Sequence, residues 1–338
     1  MSPRVNHSGL GIHNISKTED ISVPGFDLFT ENATESGVKE FKTQIYHPIG
    51  GLVSAGPFEF RIITGLNEFL HTAFLRIGGC MKIVRQDGQA LGDNDDVSVV
   101  NLAPDSLWKS ITFEVGNVKV EDTSHAYAFK AFFEKTLSQS ISSKETHLRN
   151  DFYHEDTPAA MNAYTKDSGN GGYNKRQSFL KNSKELQFNS VLALDVCGIS
   201  KPLPPRSVYT ITINRNSDDF TLMTAQNDYK IEIPELYLEA VKLIPYDNLL
   251  GQIEKRFSSS PLKYEITRTK LSKFSIPQGM YDGSRVSLFD RGQLPRFILI
   301  GLTNQHGYNG TTRLNPFNFN HYDISEVCLT KNNIPVSK

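Results

Sequence analysis

Residues 209–214 read Tyr-Thr-Ile-Thr-Ile-Asn, and residues 229–233 read Tyr-Lys-Ile-Glu-Ile. Apolar and polar side chains alternate in both stretches, which is the period of a β-strand with one buried face. Other short apolar runs, rich in β-branched and aromatic residues, are separated by Gly, Pro, Asn and Asp. These runs cover residues 58–63, 69–84, 111–120, 208–213, 231–243, 264–274 and 297–302. The pattern predicts a mainly β chain.

Helical periodicity is sparse and is found in two segments. The first covers residues 124–138, with Ser124 as the predicted N-cap and an apolar face made of Tyr127, Phe129, Phe132, Phe133 and Leu137. The second covers residues 247–257, with Asp247 as the predicted cap and a stripe made of Leu249, Leu250, Ile253 and Phe257. Many strands, few helices and long connections favour β-sandwiches with Greek-key topology over a βαβ domain.

The length of 338 residues leaves room for about two domains. Residues 1–45 are mostly polar and weakly periodic, and we expect an N-terminal arm that orders on contact with neighbours. A polar stretch near residues 217–228 suggests a boundary, so we expect a first sandwich at 46–226 and a second at 227–338. Residues 164–175 are rich in Gly and Asn and predict a long exposed loop.

Composition and charge exclude several classes of protein. Hydrophobic residues make up 38% of the chain, which is too many for a disordered protein, and the formal net charge is -1. A charge so close to zero gives no general attraction to nucleic acid. The three cysteines share no metal or disulfide spacing and are predicted to be buried free thiols in a reducing compartment. Neither a signal peptide nor a membrane-length apolar run is recognisable, so we expect a protein that is not secreted.

No motif for catalysis, metal binding or cofactor binding is recognisable. The segment Gly169-Asn-Gly-Gly before Lys175 lacks the spacing of a phosphate-binding P-loop and predicts a flexible loop. His147 and His154 form no metal motif, and the acidic pairs Asp95/Asp96 and Asp218/Asp219 predict solvated turns. A basic stretch could touch nucleic acid, although a charged strand face is the favoured interpretation; it contains Lys263, Arg268, Lys270 and Lys273. The sequence therefore predicts no catalytic, cofactor-binding or metal residue, and no enzyme.

One contiguous stretch of the sequence allows a more specific prediction. It begins Gly292-Gln-Leu-Pro-Arg-Phe-Ile-Leu-Ile-Gly-Leu and continues with Tyr308-Asn-Gly and with Leu314-Asn-Pro-Phe-Asn-Phe-Asn-His-Tyr. This stretch resembles a strand and a following Leu-Asn-Pro-Phe-Asn-Phe motif in the major capsid (hexon-like) proteins of Polinton/Maverick elements and adintoviruses.

Other segments resemble the same family. They are Asn101–Asn117, the helix that starts at His125-Ala-Tyr-Ala-Phe, and Phe152-Tyr-His-Glu-Asp-Thr, which has one extra residue. Weaker agreement is found in Phe26-Asp-Leu-Phe, Asn214–Met223 and Ile231–Pro245. The resemblance therefore extends over most of residues 26–338.

The resemblance implies a double jelly-roll capsid protein without cofactors. Its partner would first be itself, in pseudo-hexagonal homotrimers that tile an icosahedral shell, and then penton or minor capsid proteins. The shell would enclose DNA without sequence-specific binding, and an internal membrane is not implied by the sequence. Such a protein is made in the host cytoplasm, assembles in the cytoplasm or nucleus, and is located in the virion capsid.

The chain departs from this family at its C-terminal end. The resemblance stops at Ile334-Pro-Val-Ser-Lys, before the closing strands of the second sandwich, which is expected to be incomplete. A fragment, strands supplied by another chain and a naturally short lineage are all consistent with this. Two alternative functions stay open: a penton or minor capsid protein, and a β-sandwich carbohydrate-binding module using aromatics such as Trp108 or Tyr173.

Overall fold

The computed structural model describes residues 37–52, 56–166, 168–277, 279, 295–331 and 334–337. Most of the regular structure is β-strand, so the predicted mainly β fold with a few short helices is confirmed. The strands are β1 (Val38–Tyr46), β2 (Phe58–Ile63), β3 (Phe69–Arg85), β4 (Val97–Val99), β5 (Trp108–Val115), β6 (Val118–Asp122), β7 (Leu186–Val191), β8 (Val208–Arg215), β9 (Leu222–Thr224), β10 (Tyr229–Pro245), β11 (Leu329–Lys331) and β12 (Ile334–Ser337). The helices are α1 (Ala103–Ser106), α2 (Tyr127–Ser138), α3 (Ile141–Glu145), α4 (Gly171–Leu180), α5 (Asp218–Thr221), α6 (Asp247–Phe257) and α7 (Gln305–Asn309).

Two four-stranded antiparallel sheets face each other across one core. Their strand orders are β1-β10-β3-β7 and β2-β8-β5-β6, while β4 and β9 form a separate short pair. When the strands of the two sheets are counted in chain order, the first sheet contains 1-8-3-6 and the second contains 2-7-4-5. Two interlocked Greek keys produce this order, which is the topology of a jelly roll. The predicted jelly-roll architecture is therefore confirmed for this part of the chain.

The strands of this sandwich extend beyond the predicted limits of residues 46 and 226. The last part of the predicted N-terminal arm forms β1, and β10 returns after residue 228 to lie between β1 and β3. The polar stretch at residues 217–228 contains α5 and β9, so it is a turn within the sandwich. Residues 1–36 of the predicted arm lie outside the described residues.

Alternate side chains of each strand make the core. On β8, Tyr209, Ile211 and Ile213 are buried while the threonines between them are half-buried, as the alternation predicts. Trp108 at the start of β5 is also fully buried, and its ring meets Phe58 edge-on at 6.0 Å between centroids. Each such side chain stabilises the sandwich by about 1.5–3 kcal/mol through removal of apolar surface from water.

The two predicted helices are present, with one changed boundary. Helix α6 has the predicted bounds, although Asp247 is its first helical residue and Tyr246 is the N-cap. Helix α2 begins at Tyr127, three residues after the predicted cap Ser124. Ser124 has a left-handed backbone, with φ 46°, and its N–H donates to Asp122. A turn closed by the bond from Ala126 N–H to the Thr123 carbonyl precedes the helix and delays its start.

The described residues after α6 contain little regular structure. The apolar runs at 264–274 and 297–302 are not in strands, and β11 and β12 form a short hairpin. Tyr264 and Ile266 instead pack against the core of the sandwich, and the Tyr264 hydroxyl donates to the Pro202 carbonyl at 3.0 Å. Their apolar surface is thus buried by packing rather than by strand pairing. A second sandwich in this part of the chain stays a prediction.

Candidate functional site: the α2 junction and the β1 edge

Helix α2 is the place where the segments that resemble capsid proteins meet. It contacts the region around α1, and the Leu314-Asn-Pro-Phe-Asn-Phe segment packs against it through Phe317 and Phe319. The Phe152-Tyr-His-Glu-Asp-Thr segment joins the same junction through a hydrogen bond described below. Residues 26–29 and 292–294 of the resembling segments lie outside the described residues. We call this region the α2 junction.

Stacked aromatic rings form the apolar part of the α2 junction. The rings of Phe132 and Phe317 are parallel, with centroids 4.4 Å apart and an interplanar angle of 3°. Phe129 stacks on Tyr308 at 5.0 Å and meets Phe220 edge-on at 5.7 Å. Such pairs contribute about 0.5–1.5 kcal/mol each beyond the burial of their surface. The chain after residue 300 is therefore fastened to the sandwich through α2.

A buried network of hydrogen bonds and one ion pair also attaches this segment to the sandwich. Asn315 is 2% exposed, its side-chain amide donates to the Asp156 carboxylate at 3.4 Å, and its side-chain oxygen accepts from Phe317 N–H at 3.0 Å. Asp156 also forms an ion pair with Arg176 at 2.6 Å, and Arg176 donates to the Val99 carbonyl at 2.8 Å. Buried polar groups that are all paired in this way hold a structure in place. The network has a positioning role.

Lys135 of α2 lies between two carboxylates. Its Nζ atom is 2.8 Å from Asp105, 3.1 Å from Asp151 and 2.6 Å from the Ser190 hydroxyl. Burial raises the pKa of Asp105 to about 6; the Lys135 ammonium opposes this rise and the negative charge of Asp151 adds to it. One cation shared by two buried carboxylates fixes the inner face of α2.

Lys130, five residues earlier on α2, makes a second buried set of ion pairs. Its Nζ atom is 2.9 Å from Glu121 and 2.6 Å from Asp195. The other oxygen of Glu121 accepts from the Val196 backbone N–H at 3.0 Å. Both lysines are less than one tenth exposed, so α2 is held by charge as well as by aromatic packing.

The acidic residues singled out in the sequence also have structural partners. Asp95 accepts hydrogen bonds from Arg85 at 2.7 Å and from the Tyr229 hydroxyl at 3.1 Å, and its side chain is 12% exposed. Asp96 accepts from the Tyr173 hydroxyl at 2.9 Å. The prediction of a solvated turn is wrong here, because the turn folds back onto β10 and α4. In the part of the chain that the structure describes, no three His, Cys, Asp or Glu side chains are grouped to hold a metal.

Burial shifts the pKa values of two thiols, Cys80 and Cys197, and of one imidazole, His154. Cys80 is buried, burial raises the pKa of the Cys197 thiol to about 12, and Cys328 is exposed, so the prediction of a buried thiol is wrong for Cys328. Burial lowers the pKa of His154 to about 4, and the nearby positive charge of Arg149 lowers it further. His154 is therefore neutral at pH 7.

The Gly-rich segment is only partly the predicted loop. Helix α4 begins at Gly171, and the side-chain oxygen of Asn170 caps it by accepting from the N–H groups of Gly172 and Tyr173 at 3.1 and 3.3 Å. A Cβ atom on Gly172 would lie 2.5 Å from the Glu155 carbonyl oxygen, so only glycine fits there. The Asn before the paired glycines, a common N-cap residue, was the sequence signal for this helix.

Strand β1 is an uncovered edge of its sheet. Among the described residues it pairs only with β10, and its side chains between the two end residues are all exposed. Phe41 and Ile45, four residues apart and hence on one face, are 58% and 54% exposed. An edge strand with apolar side chains is suited to pairing or packing with another chain.

A charged corner supports this edge from inside. Lys242 of β10 donates to the Ile63 carbonyl and to the Glu68 carboxylate, both at 2.7 Å, and Glu68 also binds Lys42 of β1 at 3.1 Å. Burial alone would raise the pKa of Glu68, but the hydrogen bonds from Lys242, Gly65 and Lys42 outweigh it and lower the pKa to about 2. The corner thus stays ionised, and β1 is held in place while no strand of the described residues pairs with its outer side.

The basic stretch is not a strand face. Lys263, Arg268, Lys270 and Lys273 lie in an exposed segment without regular structure. This segment follows the surface of the sandwich because Thr269 N–H donates to Asp195 at 2.8 Å. The favoured interpretation of a charged strand face is therefore wrong.

No helix among the described residues combines the length and the apolar character that a membrane crossing requires.

Comparison with known proteins gives distant similarities. No protein-family model matches the chain. A protein from Caenorhabditis elegans described as "Uncharacterized protein F54H12.2" is 21% identical over 309 residues, which cover 87% of this chain and 70% of that protein.

Similar solved structures include a chain of the Sputnik virophage, with 11% identity and a TM-score of 0.42 over 67% of this chain and 52% of that chain. The Faustovirus major capsid protein has 8% identity and a TM-score of 0.42, over 68% and 58% of the two chains. The mavirus major capsid protein has 10% identity and a TM-score of 0.38, over 64% and 49%. This chain therefore spans about half of the length of these solved chains.

Proposed function

We propose that this chain is a structural subunit of a viral-type capsid and not an enzyme. The observation that carries the proposal is the complete jelly roll of residues 38–245, in which edge strand β1 exposes Phe41 and Ile45 and pairs, among the described residues, with β10 alone. A jelly roll with an open apolar edge can bury that edge against a neighbouring copy, and repetition of such contacts produces a closed shell. The net charge of -1 keeps the repulsion between packed copies small.

The chemistry of the α2 junction supports a structural role. Its charged groups, Lys135, Asp105 and Asp156 among them, are buried and engaged in ion pairs. A general acid or base has to be free to exchange a proton with a substrate, whereas Asp105 and Asp156 are buried and the Lys135 ammonium is bound by Asp105, Asp151 and Ser190. Lys135 and Asp105 hold α2 on the sandwich, and Asp156 holds the segment after residue 300 through Asn315.

The finer proposal follows the resemblance in the sequence. It is a double jelly-roll major capsid protein of the Polinton and adintovirus type, with the chain after Pro245 contributing to the second sandwich. Its subunits would form pseudo-hexagonal homotrimers, contact penton or minor capsid proteins and enclose DNA without reading its sequence. The segments that carry this resemblance and are described pack together at the α2 junction, as parts of one structural unit would.

The decisive experiment measures the solution mass by light scattering and views the protein by negative-stain microscopy. We expect trimers, or shells built from them, at micromolar concentration. The double variant Phe41→Glu/Ile45→Glu should be monomeric with an unchanged melting temperature, because both side chains are already exposed. The control Ile141→Glu changes an isoleucine that is 78% exposed on α3, and it should assemble normally.

Two results would contradict the proposal. If the wild-type protein stays monomeric at all salt concentrations and pH values tested, the proposed capsid role is wrong. If Phe41→Glu/Ile45→Glu and the control Ile141→Glu affect assembly equally, β1 is not part of the interface.

A penton or minor capsid protein is the second candidate. The observation in its favour is that the described residues contain one complete jelly roll. A pentameric mass in the same measurement would support it. The carbohydrate-binding alternative loses its basis, because Trp108 and Tyr173 are both fully buried and cannot stack on a sugar.

A further inference from the structure

A cleft with a positively charged lining lies at the start of helix α2. Its volume is about 330 Å³, and it is bounded by the end of β8, the loop before α2, the basic stretch and α7. The basic residues that line it are Lys109, His125, Arg215 and Lys273. No carboxylate lines the cleft within the described residues. In a chain whose net charge is -1, this local excess of positive charge stands out.

Of the basic side chains that line the cleft, Lys109 and Lys273 have no carboxylate partner among the described residues. Arg215 is bound to Asp218 at 2.6 Å and to a backbone carbonyl. Lys109 and Lys273, in contrast, are exposed and form no ion pair with any residue that the structure describes. Lys273 Nζ is placed over the ring of Tyr308, 5.5 Å from its centroid. Like charges confined at one opening repel each other, and an anion placed between them relieves the repulsion.

Backbone N–H groups add to the positive potential in the cleft. Ala128 and Phe129, in the first turn of α2, line the cleft, and the N-cap Ala126 offers no side-chain acceptor. The first turn of this 12-residue helix contains no acidic residue. Its first N–H groups therefore stay available, together with the positive end of the helix dipole. Because the lysines converge on the same opening, the helix end reinforces a site that the cations and the cleft already define.

The shape and the neutral donors of the cleft select the anion. Ser217 and Asn309 line it with polar side chains, so that a ligand can accept from hydroxyl and amide groups as well as from ammonium groups. A volume of about 330 Å³ exceeds the needs of a bare ion and is within the size of a small-molecule pocket. A tetrahedral oxyanion that carries a further group fits these features.

We propose that this cleft binds a phosphate group, with Lys109 and Lys273 as its principal partners. The phosphate can belong to a free phosphate compound or to the backbone of a nucleic acid, since the recognising chemistry is the same. The site does not depend on the assembly role proposed above, because no residue of β1 contributes to it.

The test uses the full chain and two probes. Inorganic phosphate is titrated and followed by phosphorus NMR, and a labelled single-stranded oligothymidylate is titrated and followed by fluorescence anisotropy. We expect binding that weakens as salt is added. The variant Lys109→Gln/Lys273→Gln should bind about tenfold more weakly, or worse, for each lysine removed. The control Lys270→Gln removes an exposed lysine of the same basic stretch outside the cleft lining and should bind like wild type.

The outcomes separate the two sources of phosphate. Binding of inorganic phosphate that competes with the oligothymidylate shows that a free phosphate group is sufficient. Binding of the oligothymidylate alone, lost in the double variant, identifies the nucleic-acid backbone as the source. The proposal is overturned if neither probe binds, or if Lys109→Gln/Lys273→Gln and Lys270→Gln behave alike. Circular dichroism of each variant checks that it is folded.

Discussion

Replacement of Phe317 by alanine tests whether the C-terminal segment is part of the folded unit. The Phe317 side chain is 2% exposed, stacks on Phe132 at 4.4 Å and meets Phe129 edge-on at 5.7 Å. Truncation of a buried phenylalanine to alanine costs about 3–5 kcal/mol, because packing is lost and a cavity is left. Phe297 provides the control: it is 76% exposed, and its truncation should change the free energy of unfolding by less than about 0.5 kcal/mol.

Two measurements distinguish global from local effects of Phe317→Ala. Urea unfolding, followed by the fluorescence of the buried Trp108, gives the free energy of unfolding of the sandwich. Amide hydrogen exchange at Thr224, whose N–H donates to the Thr312 carbonyl at 2.8 Å, reports on the attachment of the segment. We expect faster exchange at Thr224 in Phe317→Ala and unchanged exchange in Phe297→Ala. If the two variants are equally stable and exchange alike, the packing of this segment on α2 is refuted.

Three further changes probe the buried polar groups. Lys135→Met leaves two buried carboxylates without their cation and should lower the free energy of unfolding by about 3–5 kcal/mol, whereas Lys255→Met on exposed α6 should have little effect in the same urea titration. Because burial raises the pKa of Asp105 to about 6, the folded chain binds a proton there that the unfolded chain has released, so this group's stability contribution falls as pH rises from about 4 to about 6. Asp105→Asn should remove that fall, and parallel stability–pH curves for the two proteins would contradict it. Asn170→Ala removes the cap of α4 and should cost about 1 kcal/mol in thermal unfolding, compared with no loss for Asn170→Asp.

The strands and helices that the sequence predicts well are those with a clear local period. The alternation in residues 209–214 corresponds to β8, and the stripe of residues 247–257 corresponds to α6. Helix α4 was missed because its face is weakly patterned and its start is rich in glycine, which usually indicates a loop. The local sequence around Asp95 predicts a solvated turn because its partners, Arg85 and Tyr229, belong to two different strands that only the fold brings to it.

The site was less predictable than the strands. The sequence grouped Lys263, Arg268, Lys270 and Lys273 as one basic stretch, but of these four only Lys273 lines the cleft, together with Lys109 of β5. The resemblance to capsid proteins identified the segments that form the α2 junction. It did not predict that the Asn315 side chain donates a hydrogen bond to Asp156. Charge and motif are readable along the chain, whereas the partner of each group depends on the path of the backbone.

The amino-acid sequence by itself determined the strands and helices that have a clear local period, such as β8 and α6, which residues of those elements face the core, and the absence of any recognisable catalytic motif. Those properties depend on near neighbours, since side-chain alternation and capping act over a few residues. Only the tertiary structure decided that β10 lies between β1 and β3, and thereby that the sandwich runs from Val38 to Pro245. Strand order follows from hydrogen bonds and core contacts between residues far apart in the chain, and nothing in a local period specifies which distant strand will be the partner.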